Sequence, residues 1–257
     1  MNITFAVGSG RCGTVSLAAM LAEIMSSRHE GVKWNLFDGI GRFKPTFHEL
    51  NFPHLMQAES LEHRNLIEPW NVRALKIRKN QLVKHRIIDY FEAAHYMSGN
   101  LELLFDIFPE AKLIHLHRPA VQVVNSFTRR VRKSIYNNEG KHRRNYKQWT
   151  GWPDVFPVWE DTKSKEEGYA RYWQWTNQSI SDFIRLNHIP HITVETKELN
   201  NENTWGRILK FVNPTISEVM ARNSFRPQVR NERQNKFLGE PEQASFDAVE
   251  KFCTWQP

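Results

Sequence analysis

Two stretches of this sequence carry residues whose types and spacing suit the binding of phosphate or a similar anion. The first is Gly8-Ser9-Gly10-Arg11-Cys12-Gly13-Thr14-Val15-Ser16. It lies between a short apolar run and a segment of helical spacing, so unpaired backbone N–H groups and the positive helix end converge on the loop. Its glycine spacing is that of a Walker loop, but the Lys-Ser/Thr pair that should follow the last glycine is replaced by Thr14-Val15. The lysine and the magnesium-binding hydroxyl of an NTPase are thus missing from their places, and the cation is Arg11, inside the loop. The second stretch is Lys112 to Phe127. Arg118 stands at the end of an expected strand, and Ser126 follows eight residues later, about two helical turns away. In open α/β sheets ligands bind beyond the carboxyl ends of strands, which places an arginine there well for a phosphate.

A basic residue two positions before Gly-Thr resembles the 5′-phosphosulfate-binding loop of sulfotransferases that use 3′-phosphoadenosine 5′-phosphosulfate (PAPS). A strand followed by Arg-Pro and then Ser126 resembles their 3′-phosphate motif. The two stand in the family's order, about a hundred residues apart, and jointly they are far more specific than either alone. The likeness covers most of residues 3 to 215, including the Phe-Pro-Glu-Ala turn before the second strand and the aromatic helix from Tyr169 to Trp175. It implies an α/β, three-layer sandwich with a central parallel sheet, similar to P-loop NTPases. It further implies PAPS as donor, 3′-phosphoadenosine 5′-phosphate (PAP) as product, and no required metal. Gly10, Arg11, Cys12, Gly13, Thr14, Val15 and Ser16 would then line the 5′ side of the donor, and Arg118 and Ser126 would hold its 3′-phosphate. Two residues depart from the pattern: Cys12 replaces a common serine, and Val15 removes a hydroxyl that Ser16 offers only one position later on the helix. Arg230, in the run Arg226 to Arg230, falls where many relatives close a loop over the 3′-phosphate, without the usual glycines.

Sulfuryl transfer needs a base for the attacking hydroxyl or amine and positive donors for charge gathering on the departing phosphate oxygen. Arg11 suits the second role. For the first, Pro45 to Leu50 reads as a short strand carrying His48 and Glu49, a His-Glu pair that resembles one in some family members. Adjacent strand residues point to opposite faces, so at most one of them faces the donor. Glu49 is favoured, with His48 as runner-up and His95 as a third choice, histidine having a pKa suited to the task.

These residues need elements to position them. Asn2 to Val7 reads as a buried strand, Thr14 to Met25 as a helix, and Ala111 to His117 as a second strand between a helix ended by Pro109 and another begun by Pro119. Glu166 to Leu186 reads as a long helix leading through Pro190 to a strand at His191 to Val194, and Thr204 to Val212 as a further helix. Strands alternating with helices imply a parallel sheet. Residues 133–165 lack clear periodicity and carry Trp149, Trp152 and Trp159, so they are expected to form a lid or an acceptor-side segment. His115 and His117 share a strand face, but no third ligand stands at a metal-site spacing, and packing or hydrogen bonding is the expected role.

At 257 residues, with 40% hydrophobic residues and nine Trp, the chain has the composition of one folded domain. A net charge of +7 favours an anionic ligand, and the basic cluster from Arg129 to Arg144 keeps open a non-catalytic binder of nucleic acid or another polyanion. A P-loop small-molecule kinase is the other alternative, against which the missing lysine counts. Two separated cysteines, no export signal and no long apolar window point to a reduced, cytoplasmic protein without a membrane span. The acceptor class, whether carbohydrate, lipid, peptide or small metabolite, is left open because acceptor loops vary on any scaffold.

Overall fold

The fold is that of a computed structural model, which describes residues 1–22, 24–29, 61–129, 161–217, 223, 225 and 240–257. Among the described residues five strands form one sheet: β1 (Asn2–Val7), β2 (Ser26–His29), β3 (Asp89–Ala93), β4 (Lys112–His117) and β5 (His191–Glu195). Their order is β2-β3-β1-β4-β5 and every neighbouring pair is parallel. Helices α1 (Thr14–Leu21), α2 (Leu61–Lys84), α3 (Leu101–Ile107), α4 (Ala120–Thr128), α5 (Lys165–Asn187), α6 (Glu202–Val212) and α7 (Gln243–Phe252) flank it, with short 3₁₀ turns at His95–Asn100 and Thr196–Asn200.

Both faces of the sheet are covered, so along the central strands β1, β3 and β4 buried residues follow one another instead of alternating with exposed ones. On one face Ile3, Phe5, Val7 and Leu113 pack with Leu75 and Leu82 of α2, Leu104 of α3 and Ile180 of α5. On the other, Ala6, Ile114, Leu116 and Val194 pack with Leu17 and Leu21 of α1 and with Trp205 and Leu209 of α6. Full burial of side chains such as Phe5 and Leu17 contributes about 1.5–3 kcal/mol each, which fixes the strand register against the helices. The expected three-layer α/β arrangement with a central parallel sheet is therefore what the chain forms.

Element ends follow local chemistry. Ser164 caps α5 by accepting a hydrogen bond from the Glu167 N–H, and His188 closes that helix in the left-handed conformation at φ 50°. Pro119 is the N-cap of α4, as its fixed φ favours. Helix α1 ends at Leu21 instead of continuing to Met25, because the chain must turn before β2 begins at Ser26; Ile24 and Met25 donate back to Leu21 O in that turn and remain packed on the core.

The central strand β1 has β3 on one side and β4 on the other. The chain leaves β1 toward β2 and leaves β4 toward β5, in opposite directions along the sheet, so a crevice opens between the carboxyl ends of β1 and β4. Gly8 lines the floor of this crevice. A β-carbon there would lie 2.1 Å from Leu116 O and 2.6 Å from Cys12 Sγ, so only glycine lets the loop pass this close to β4.

Candidate active site

The loop from Gly8 to Gly13 curls over the end of β1 through three left-handed residues, Gly10 (φ 75°), Arg11 (φ 55°) and Gly13 (φ 90°). For Arg11 this conformation is costly, by about 1–3 kcal/mol, and such strain is held only where surrounding contacts impose it. Here they do. Thr196 Oγ1 lies 2.6 Å from Cys12 O and 2.8 Å from His117 O, so one hydroxyl bridges the loop and the end of β4. Ser98 Oγ, in the 3₁₀ turn after β3, donates to His95 O and lies 3.4 Å from Gly8 O. The loop is thus tied to three elements around it.

The two sequence motifs meet in this crevice. Arg11 Nε donates to Ser126 Oγ at 3.0 Å across 115 residues of sequence, and Arg118 Nη1 donates to Arg11 O at 3.5 Å. Arg118 is further steadied by Nε donating to Gln122 Oε1 at 2.8 Å, one turn along α4, and by its own carbonyl accepting from Trp173 Nε1 at 2.9 Å. Ser126 is fully buried on α4, while Arg11 and Arg118 are part-exposed. Two guanidinium groups, a buried hydroxyl and the helix start at Thr14 therefore surround one point at the sheet's carboxyl edge. Such a set can neutralise a doubly phosphorylated anion.

Among the loop residues, Cys12 is fully buried, and burial pushes its thiol up to about 11. It stays protonated near neutral pH and is not a nucleophile. Thr14 and Ser16 are buried, whereas Val15 is 40% exposed, so the hydroxyl of Ser16 turns into the fold while Val15 faces outward. Burial also lowers Arg118 from the usual arginine range, yet a guanidinium keeps its charge in a protein.

Of the three base candidates, His95 alone lies in the described part. It opens the 3₁₀ turn after β3, and a β-carbon on Gly10 would sit 3.5 Å from its Cγ, so the imidazole borders the phosphate loop. Glu49, His48 and Arg230 lie outside the described residues, as do the Trp149–Trp159 segment and all of the basic cluster after Arg129. Among the described residues His115 and His117 belong to no group that could hold a metal ion: His115 Nε2 is 2.9 Å from Asn177 Oδ1, and the Trp255 ring packs on both. Sequence reasoning missed Thr196 and Trp173. Both act on backbone carbonyls, which no side-chain spacing announces.

A profile described as the sulfotransferase family matches residues 4–165, more than half of the chain. The chain belongs to the sulfotransferase family. No curated protein matches it by sequence. This sulfotransferase is similar to the sulfotransferase domain of the Synechococcus PCC 7002 olefin synthase, at 15% identity over 99% of this chain and 95% of that one, with a TM-score of 0.47. It is also similar to the sulfotransferase STF9 from Mycobacterium avium, at 14% identity over 86% of this chain and 66% of that one, with a TM-score of 0.45. No helix of its described residues is long and apolar enough to cross a membrane.

Proposed function

We propose that this sulfotransferase takes a sulfuryl group from PAPS and moves it directly to a hydroxyl or amine acceptor. The observation that carries this reading is the meeting of Arg11, Ser126 and Arg118 at the β1/β4 crevice. In it, Arg118 and Ser126 receive the 3′-phosphate, and Arg11 with the amides of the loop and the start of α1 receives the 5′-phosphosulfate. Bound there, PAPS supplies an activated sulfuryl group on a phosphate leaving group. Arg11 then faces the oxygen on which charge gathers, and the loop amides share that charge without reorganising. The transferring group carries less negative charge than a phosphoryl group, so arginines and helix-end amides suffice where kinases use magnesium. Transfer is in line and without a covalent enzyme intermediate in this reading.

The acceptor's proton goes to a base. Glu49 and His48 stand as sequence candidates, and the place of His95 beside Gly10 favours His95. Arg230 is proposed as a further contact to the 3′-phosphate. The 257 residues act as one domain in this reading, with 133–165 on the acceptor side. A reducing, cytoplasmic setting fits the two free cysteines.

Arg118→Ala tests the donor assignment. It removes charge-assisted contacts worth ~1.5–3 kcal/mol, so calorimetry should show PAP binding weakened by about ten- to a hundredfold in a folded protein. Unchanged affinity would mean that the 3′-phosphate is held elsewhere.

A further inference from the structure

Arg118 stands one residue past β4, where its carbonyl has left the strand ladder and its side chain turns into the crevice. What holds this peptide comes from α5: the Trp173 indole donates to Arg118 O at 2.9 Å and is itself 5% exposed. Trp173 is in turn backed by Trp255 of the C-terminal tail, edge-on at 5.4 Å between ring centroids. The tail is strapped to α5 by several bonds, among them Cys253 Sγ to Ala170 O at 3.4 Å. Gln174 Oε1 accepts from Thr254 N at 2.8 Å and from Trp255 N at 2.7 Å, and Trp255 Nε1 donates to Ser181 Oγ at 2.9 Å. On its other side Trp255 packs against His115 and His117 of β4, so it wedges the strand end and α5 into one unit.

We infer that Trp173 is a positioning residue for Arg118, and that Trp255 in the C-terminal tail holds Trp173 in place, so that a tail far away in sequence governs recognition of the donor's 3′-phosphate. Arginine–phosphate bonds are demanding in direction as well as distance, and the peptide that carries Arg118 has to be fixed for its guanidinium to be aimed. The indole N–H supplies that fixation. The inference rests on the proposed reading of Arg118 as the 3′-phosphate ligand.

The test compares two ligands that differ only in that group, PAP and adenosine 5′-monophosphate, by calorimetry on the full chain. Trp173→Phe keeps most of the ring and removes the donor. Gln174→Leu leaves Trp173 intact and removes two of the bonds that hold the tail. Trp173→Phe should weaken PAP about three- to tenfold, and Gln174→Leu about two- to fivefold, with the monophosphate changed by less than about twofold in both. Should Trp173→Phe fail to fold, Gln174→Leu decides. A wild-type preference for PAP that survives unchanged in the folded variants would overturn the inference alone, as would equal weakening of both ligands. No wild-type preference at all would remove the donor reading and the inference with it.

Discussion

At the scale of single residues, the site is organised by contacts that side chains make to backbone. Thr196 reaches two carbonyls, Cys12 O and His117 O, and Trp173 reaches a third, Arg118 O, from the opposite layer. These bonds hold the left-handed Arg11 and the departing end of β4, after which Arg11 Nε can rest on Ser126 Oγ. The base is the residue whose role most affects turnover. His95 borders Gly10, so His95→Asn, which keeps a polar side chain but removes the titrating imidazole, should lower turnover by ~10² or more with donor affinity near wild type. Glu49→Gln is the matched control. Rates measured with labelled PAPS and an acceptor found by screening decide between them, and a full loss in Glu49→Gln with an active His95→Asn would return the role to Glu49. The meeting of Arg11, Arg118 and Ser126 was legible in the sequence because each stands at a fixed spacing from a strand end. Thr196 and Trp173 were not, since any residue type can meet a carbonyl once the fold brings it there.

At the scale of elements, β1, β4, β5, α1, α3, α4, α5 and α6 were legible, each as an apolar run or a helical period with Gly or Pro near one of its ends. β2, β3, α2 and α7 were not. Helix α2 is strongly polar, carries Pro69 inside it and attaches to the sheet partly through polar contacts rather than an apolar stripe. Asn71 Nδ2 donates to Asn100 Oδ1 at 2.7 Å, Lys79 Nζ donates to Ile107 O at 2.7 Å, and Arg78 Nε lies 3.1 Å from Glu92 Oε2 with both side chains fully buried. Tyr90 also donates to that carboxylate, at 2.7 Å. Strand β2, Ser26–His29, has no apolar residue to mark it, and edge strands tolerate that. The buried ion pair gives a direct test of how α2 is held. Removing one partner leaves a charge without compensation in the core, so Arg78→Ala should cost about 3–5 kcal/mol in denaturant unfolding. The double change Arg78→Met with Glu92→Leu should cost far less. Equal losses in the two proteins would mean that the pair's charge is not what matters there.

Across the whole molecule, the sheet's carboxyl edge collects the site, while β4, α5 and the C-terminal tail share a buried aromatic cluster of His115, His117, Trp173 and Trp255. Burial pushes His115 down from 6.5 to about 4, with His117 lowered too, again by burial first. Between those values the unfolded chain holds a proton that the folded chain does not, so stability is full above 6.5 and falls as pH drops toward 4. For His115 the loss amounts to about 3 kcal/mol across that window. Unfolding curves for the wild type and His115→Gln should diverge in slope there, the variant being flatter; parallel curves would show that His115 is not the titrating group.

The central claim concerns the nucleotide, and a thermal-shift series tests it most directly. Wild-type protein is melted with PAP and with ADP at equal concentration, each in EDTA and in magnesium. A ligand stabilises by its affinity for the folded state, and in the proposed reading Arg118 and Ser126 hold the 3′-phosphate that PAP carries and ADP lacks. The account predicts a larger rise in Tm with PAP than with ADP, unchanged by magnesium. An equal or larger rise with magnesium-ADP would contradict it in favour of a kinase, and no shift with either nucleotide would favour a polyanion binder.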